Sequence, residues 1–247
     1  MAANALSRDP YASLAYNPHS LSRRWGLFFS AHLIAGLPAS LPLNHQTRAL
    51  RHRMIRNIHA DLKESDILQI LVRSTWHDGL PAFTPPECAP VILKDGISKI
   101  DDLAAETGID VLTLSILSDV PLHRPRNLEL EDLVAQWRWL RLVWSHFSAP
   151  TGILPINGYH LPADPEAIHA HERDMLTHII GQIGQFRHNI ALAELRKLFQ
   201  ILKKSPANRQ NPLQLCFLEL LRLFCPYIGH ELLYRYGAIK SPDQTES

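Results

Sequence analysis

LELEDLVAQWRWLRLVWSHF, residues 128–147, is the stretch that decides the fold. Leu130, Leu133, Trp137, Leu140, Trp144 and Phe147 return at spacings of three and four, the period of an α-helix with one buried face and not the period of two that a strand requires. Upstream, residues 45–63 repeat the pattern, with Leu50, Met54, Ile58 and Leu62 four apart. Residues 65–74 read as a further helix started by Ser65 and Asp66, and helices resume near Ser98. Downstream, Asp164-Pro165 is an N-cap followed by the residue favoured at the first helical position. One or two helices over 165–204 follow, interrupted near Gly181 and Gly184 and ended by Ser205-Pro206. Asn211-Pro212 repeats the cap signal, and residues 213–224 are apolar almost all round, as a central core helix should be.

The segments between these patterns carry breakers. DGLPAFTPPECAP, residues 78–90, holds four prolines, and APTGILPINGYHLPADP, residues 149–165, holds four prolines and two glycines, which makes it the best linker. Residues 1–20 show no clear period and read as an irregular arm, and the tail after Lys240 is polar and expected to fray. No internal repeat appears, which sets solenoids aside. The expectation is an all-α protein: a multi-helix orthogonal bundle over 1–148 with a helix-turn-helix-like element, a linker at 149–164, and a helical C-terminal part over 165–247.

At 247 residues the chain can bury a core without staples. Its three cysteines, Cys88, Cys216 and Cys225, lack the paired spacing of a zinc site or the density of a secreted scaffold, so a cytoplasmic location is expected. Net charge is +1, too small for the whole molecule to be drawn to nucleic acid or membrane. The charge is unevenly distributed. Arg8, Arg23, Arg24, Arg48, Arg51, Arg53 and Arg56 face a single acid, Asp9, within residues 1–60, whereas nine acids stand against Lys99, Arg124 and Arg126 within residues 95–132. Ser22-Arg23-Arg24-Trp25 and the apolar run after it look like a twin-arginine signal. However, the pair lies more than twenty residues in, and His32, Pro38 and Pro42 interrupt the run, so neither export nor a membrane span is expected.

In KIDDLAAETGIDVLTLSILSD, residues 99–119, Ala104 is small where a second helix must cross the first. Gly108, four residues on, suits a tight turn with positive φ, and Leu103, Ile109, Leu114 and Leu117 hold the apolar positions. The segment resembles the helix-turn-helix of bacterial transcription regulators. That resemblance implies DNA binding, with residues 110–118 as the reading helix. The helix contains no Arg, Lys, Asn or Gln, which leaves Thr113, Ser115 and Ser118 to reach base edges. Phosphate contacts would come from Arg124 and Arg126, or from the basic helix through Arg48, Arg51, Arg53 and Arg56.

Other constellations have a structural and a chemical reading. His171, Asp174 and His178 share one helix face and are a candidate metal set, but no fourth ligand declares itself, so no metal and no other cofactor is expected. The interleaving of Trp137, Trp139 and Trp144 with Arg138 and Arg141 fits core packing beside flanking arginines. No nucleophile elbow and no phosphate-cradling glycine loop is present, so the chain is not read as an enzyme. The functional expectation is a cytoplasmic regulatory protein acting by macromolecular binding, with DNA as one ligand and a protein partner as another. The competing expectation is a helical adaptor or accessory subunit of a larger bacterial assembly, such as a secretion apparatus. A metal-dependent enzyme is a distant third.

Overall fold

The structure is a computed structural model, described for residues 15–26, 37, 42–65, 86–94, 99–153 and 168–240. Among the described residues the chain is all-α and multi-helical. The helices are α1 (Pro18–Trp25), α2 (Leu43–Glu64), α3 (Ile100–Thr107), α4 (Ile109–Leu117), α5 (Leu130–Phe147), α6 (Ala170–Gly184), α7 (His188–Leu202), α8 (Pro212–Phe224) and α9 (Pro226–Tyr236). Strands β1 (Val91–Leu93) and β2 (Arg126–Leu128) pair in parallel with Val91 opposite Arg126 and Leu93 opposite Leu128, and they hold the chain before α3 against the entry to α5.

Local chemistry explains the boundaries. Asn17 accepts from the backbone N–H groups of His19 and Ser20, with Pro18 in the first turn, so residues 18–25 form a helix where the sequence suggested the end of an irregular arm. Asn211 caps α8 in the same way, accepting from Gln214 N at 3.1 Å. Glu129 and Asp132 make a capping box that starts α5. The expected interruption near Gly181 and Gly184 falls at residues 185–187, where Phe186 has a φ of 61°, and it divides the region into α6 and α7. Ser65 follows α2 in an extended conformation, and the rest of the helix expected over residues 65–74 lies outside the described residues, as does most of the 149–165 linker.

A single apolar cluster runs through the molecule, with Trp25, Leu50, Leu114, Trp144, Leu195, Phe217 and Leu232 all buried in it, so the regions on either side of the linker share one core. Its tightest seam is between α8 and α9. A Cβ on Gly229 would stand 2.4 Å from Arg222 Cα, so only glycine lets the two backbones approach this closely. Gly108, with a φ of 84°, likewise needs the freedom of glycine and separates α3 from α4 as the sequence suggested.

Candidate nucleic-acid interface

α2 presents its polar side chains along one solvent-facing ridge. His45, Arg48, His52 and Arg56 follow one another at three- and four-residue steps, with Arg53 beside them. The eleven residue steps of helix from His45 to Arg56 span about 16 Å at 1.5 Å per residue. The ridge forms one wall of a hollow of about 590 Å³, and Pro86, Glu87 and Cys88 form the other. Among the described residues that line the hollow, three guanidinium groups and two imidazoles accompany one carboxylate, that of Glu87. Arg48 Nη1 lies 3.9 Å from Glu87 Oε1, with the arginine side chain 46% and the glutamate 90% exposed, a loose pairing that water screens and a stronger anion would displace.

Arg51, grouped with these arginines on sequence, belongs to the core instead. It is fully buried, with Nη1 donating to the carbonyl oxygens of Arg124 at 2.9 Å and of Ala89 and Leu122 at 3.2 Å, and Nη2 donating to Val120 and Pro121 at 3.4 Å. Burial lowers its pKa to about 10, which leaves it charged at neutral pH. Its role is to gather the carbonyls of residues 89, 120–122 and 124 beside α2. Thr47, one turn earlier, accepts from Val91 N at 3.1 Å and fixes β1 to the same helix. Neither role had been anticipated. The available signal was that Thr47, Arg51, Ile55, Ile58 and Leu62 fall on a common stripe of α2, the stripe that is buried.

The remaining expected contact residues separate in the same way. Arg124 is exposed. Arg126 is buried, with Nη2 at 2.8 Å from Asp119 Oδ2 and 3.0 Å from Asp132 Oδ1, and Nε donating to Ser115 O at 3.2 Å, so it is a structural bridge and not a phosphate contact. Thr113 and Ser115 are 2% and 0% exposed, and Ser118 is 4% exposed. The Ser115 hydroxyl donates to Val111 O, and that of Ser118 donates to Leu114 O. Helix α4 is buried at every position from Asp110 to Leu117, because a run as apolar as IDVLTLSIL leaves no face for water. These three hydroxyls cannot reach a base edge while α4 keeps this position.

Asp110 explains why a carboxylate is tolerated there. It is completely buried and receives Tyr227 N at 3.2 Å and Ile228 N at 2.8 Å, capping the first turn of α9 from a distant part of the chain. Burial raises its pKa to about 7, against the opposing pull of those two N–H groups. One turn further along α9, Glu231 accepts from Trp25 Nε1 and Arg235 Nε, each at 2.9 Å, with Arg24 Nε at 3.4 Å. Thus Arg24, the second arginine of the apparent signal motif, anchors α1. His171, Asp174 and His178 all lie exposed on α6, and no group of three His, Cys, Asp or Glu side chains among the described residues is placed to hold a metal ion. No described helix is long and apolar enough to cross a membrane.

No family model matches this chain, and no solved structure does. The sequence is similar to the leucine-tRNA ligase of Frankia casuarinae, 29% identical over 150 residues. That alignment covers 59% of this chain and 14% of the ligase, so the chain spans only a small part of the protein it resembles.

Proposed function

We propose that this chain acts by binding a macromolecule, and that the macromolecule is a structured RNA of the tRNA kind. The observation that carries the reading is the α2 ridge: His45, Arg48, His52, Arg53 and Arg56 line one hollow, with Glu87 the one carboxylate among its described lining residues. A basic ridge about three helical turns long suits a phosphate backbone, which supplies most of the affinity in such complexes. The likeness to part of a protein named for its action on tRNA supports RNA over DNA. The burial of α4 supports the same choice, since the helix expected to read bases is enclosed. The protein would serve in the cytoplasm as a regulator or accessory factor, with recognition as its contribution and no chemical step of its own.

The test is binding of labelled unfractionated tRNA across a salt series, with duplex DNA of similar length alongside. The triple variant Arg48→Ala, Arg53→Ala, Arg56→Ala should weaken tRNA binding by about tenfold or more at moderate salt, and should flatten the dependence of log K on log salt by about 2 to 3. Equal binding by the variant removes the α2 ridge from the reading. Tighter binding of duplex DNA than of tRNA returns the transcription-regulator reading in its place.

A further inference from the structure

A second hollow shares no lining residue with the α2 ridge. It is a trough of about 580 Å³ between the start of α1, the end of α3 and the first two turns of α5. Val111 and Leu133, both buried, are in its lining. Along its edge Leu130, Val134 and Trp137 recur at i, i+4 and i+7, a single stripe of α5. Leu130 is 47% and Val134 44% exposed, although the same helix buries Leu133, Leu140, Val143 and Phe147 completely or nearly so. Two adjacent aliphatic side chains beside a concave apolar surface form a patch that water covers poorly.

The rim has a definite charge. Glu106 lines the trough, with Asp102 one turn earlier on α3 exposed on the same face, and His19 lines it at the α1 side. Beyond Trp137, the Arg141 guanidinium lies 4.7 Å above the indole ring. The middle is therefore apolar and the α3 end acidic, the reverse of the α2 hollow.

We propose that this trough is a docking site for an amphipathic helix of a protein partner, with apolar side chains at i, i+4 and i+7 seated against Leu130, Val134 and Trp137 and a lysine or arginine placed against Glu106. From Leu130 to Trp137 α5 rises about 10 Å, the length of two helical turns, which matches the anchor spacing of helix-in-groove recognition. Charge selects the occupant. The acidic α3 end, carrying Glu106 with Asp102 beside it, favours a cation, so a helix with apolar anchors and a lysine or arginine at that end meets both features at once. The site is independent of the RNA reading.

The experiment uses the full chain and two labelled synthetic helical peptides of about four turns. Both carry leucines at i, i+4 and i+7; one has lysines at the flanking positions and its twin has glutamates. Fluorescence anisotropy should show the lysine peptide binding about tenfold or more tightly than its twin, and Glu106→Lys should erase or reverse that preference. Val134→Asp, a change at an exposed position, should remove lysine-peptide binding while leaving tRNA affinity as it was, which separates failure here from failure of the α2 reading. Equal binding of the twins, binding indifferent to Val134→Asp, or no binding of either peptide overturns the proposal. A synthetic peptide of residues 1–14 that seats in the trough more tightly than the lysine peptide overturns it too, by assigning the trough to the chain itself.

Discussion

Helices α2 and α4 both carry polar side chains that invite a functional reading, and the structure uses them in opposite directions. On α2, Arg48, Arg53 and Arg56 flank an open hollow, while Arg51, between them in sequence, points inward and donates to five backbone carbonyls. On α4 the polar groups all serve the interior. Asp110 caps α9, Ser115 and Ser118 bond back to their own helix, and Thr113 is enclosed. Residue type does not separate the two uses. Position relative to unmet backbone groups does, because a buried carbonyl or N–H must find a partner, and a polar side chain on the adjacent stripe is the nearest supply.

The comparison breaks most readily at Arg51. Arg51→Met should lower unfolding free energy by about 3 kcal/mol, since several buried carbonyls lose a charged donor at once. Arg48→Met on the same helix should cost about 0 to 1 kcal/mol, because its ion pair is exposed. Urea denaturation of the two variants measures the contrast, and equal losses would mean that the inward and outward arginines have been wrongly distinguished.

A smaller effect concerns pH. Burial lowers the pKa of His59 to about 4 and those of His188 and His230 to about 3, against 6.5 in the unfolded chain. Their folded values are depressed, so the unfolded state takes up protons first. The stability they contribute is present above pH 6.5 and is lost as pH falls towards 3 to 4. Asp110 acts in the opposite sense: with its pKa raised to about 7 from 3.8, its contribution grows as pH falls between those values. Three imidazoles outweigh one carboxyl, so Tm should fall between pH 7 and pH 5. His188→Leu should recover about 2 kcal/mol of the difference at pH 5. A thermal melt series at the two pH values checks this, and an unchanged pH dependence in the variant would show that His188 titrates normally.

The smallest expected effect is at Thr113. Its hydroxyl is buried with no hydrogen-bond partner among the described residues, so Thr113→Val, which keeps the shape, should be neutral or stabilise the protein by up to about 1 kcal/mol. Nucleic-acid binding should not change. A loss of binding with unchanged stability would restore α4 as a reading helix.

The sequence carried the periodic parts of this fold clearly. The all-round apolarity of α8 is visible because apolar pattern and burial coincide there, and so is most of the α5 stripe, where Leu133, Leu140, Trp144 and Phe147 are buried while Leu130 and Trp137 border the trough. α9 was not anticipated, and the reason is physical. It opens with Pro226 and contains Gly229, residues that usually mark a break, yet here the proline sits in the first turn and the glycine at the helix crossing. Its cap, Asp110, is more than a hundred residues away and gives no local signal. The basic ridge was legible as composition; which of its arginines faces water was not, because that depends on where the 120–124 turn packs.

The Asp110 cap also bears on the order in which the molecule assembles. Helices α8 and α9 are neighbours in the chain, and their crossing at Gly229 needs only a short closure, whereas the bonds to Tyr227 N and Ile228 N span 117 and 118 residues. Non-local contacts of this kind carry a large loop-closure entropy and tend to form after local ones. The first turn of α9 therefore keeps its N–H groups in water until α4 arrives, and docking of the two halves and completion of α9 become a single kinetic event. During synthesis α4 leaves the ribosome more than a hundred residues before its partner, so its carboxylate stays hydrated over that interval and is desolvated only when α9 closes over it.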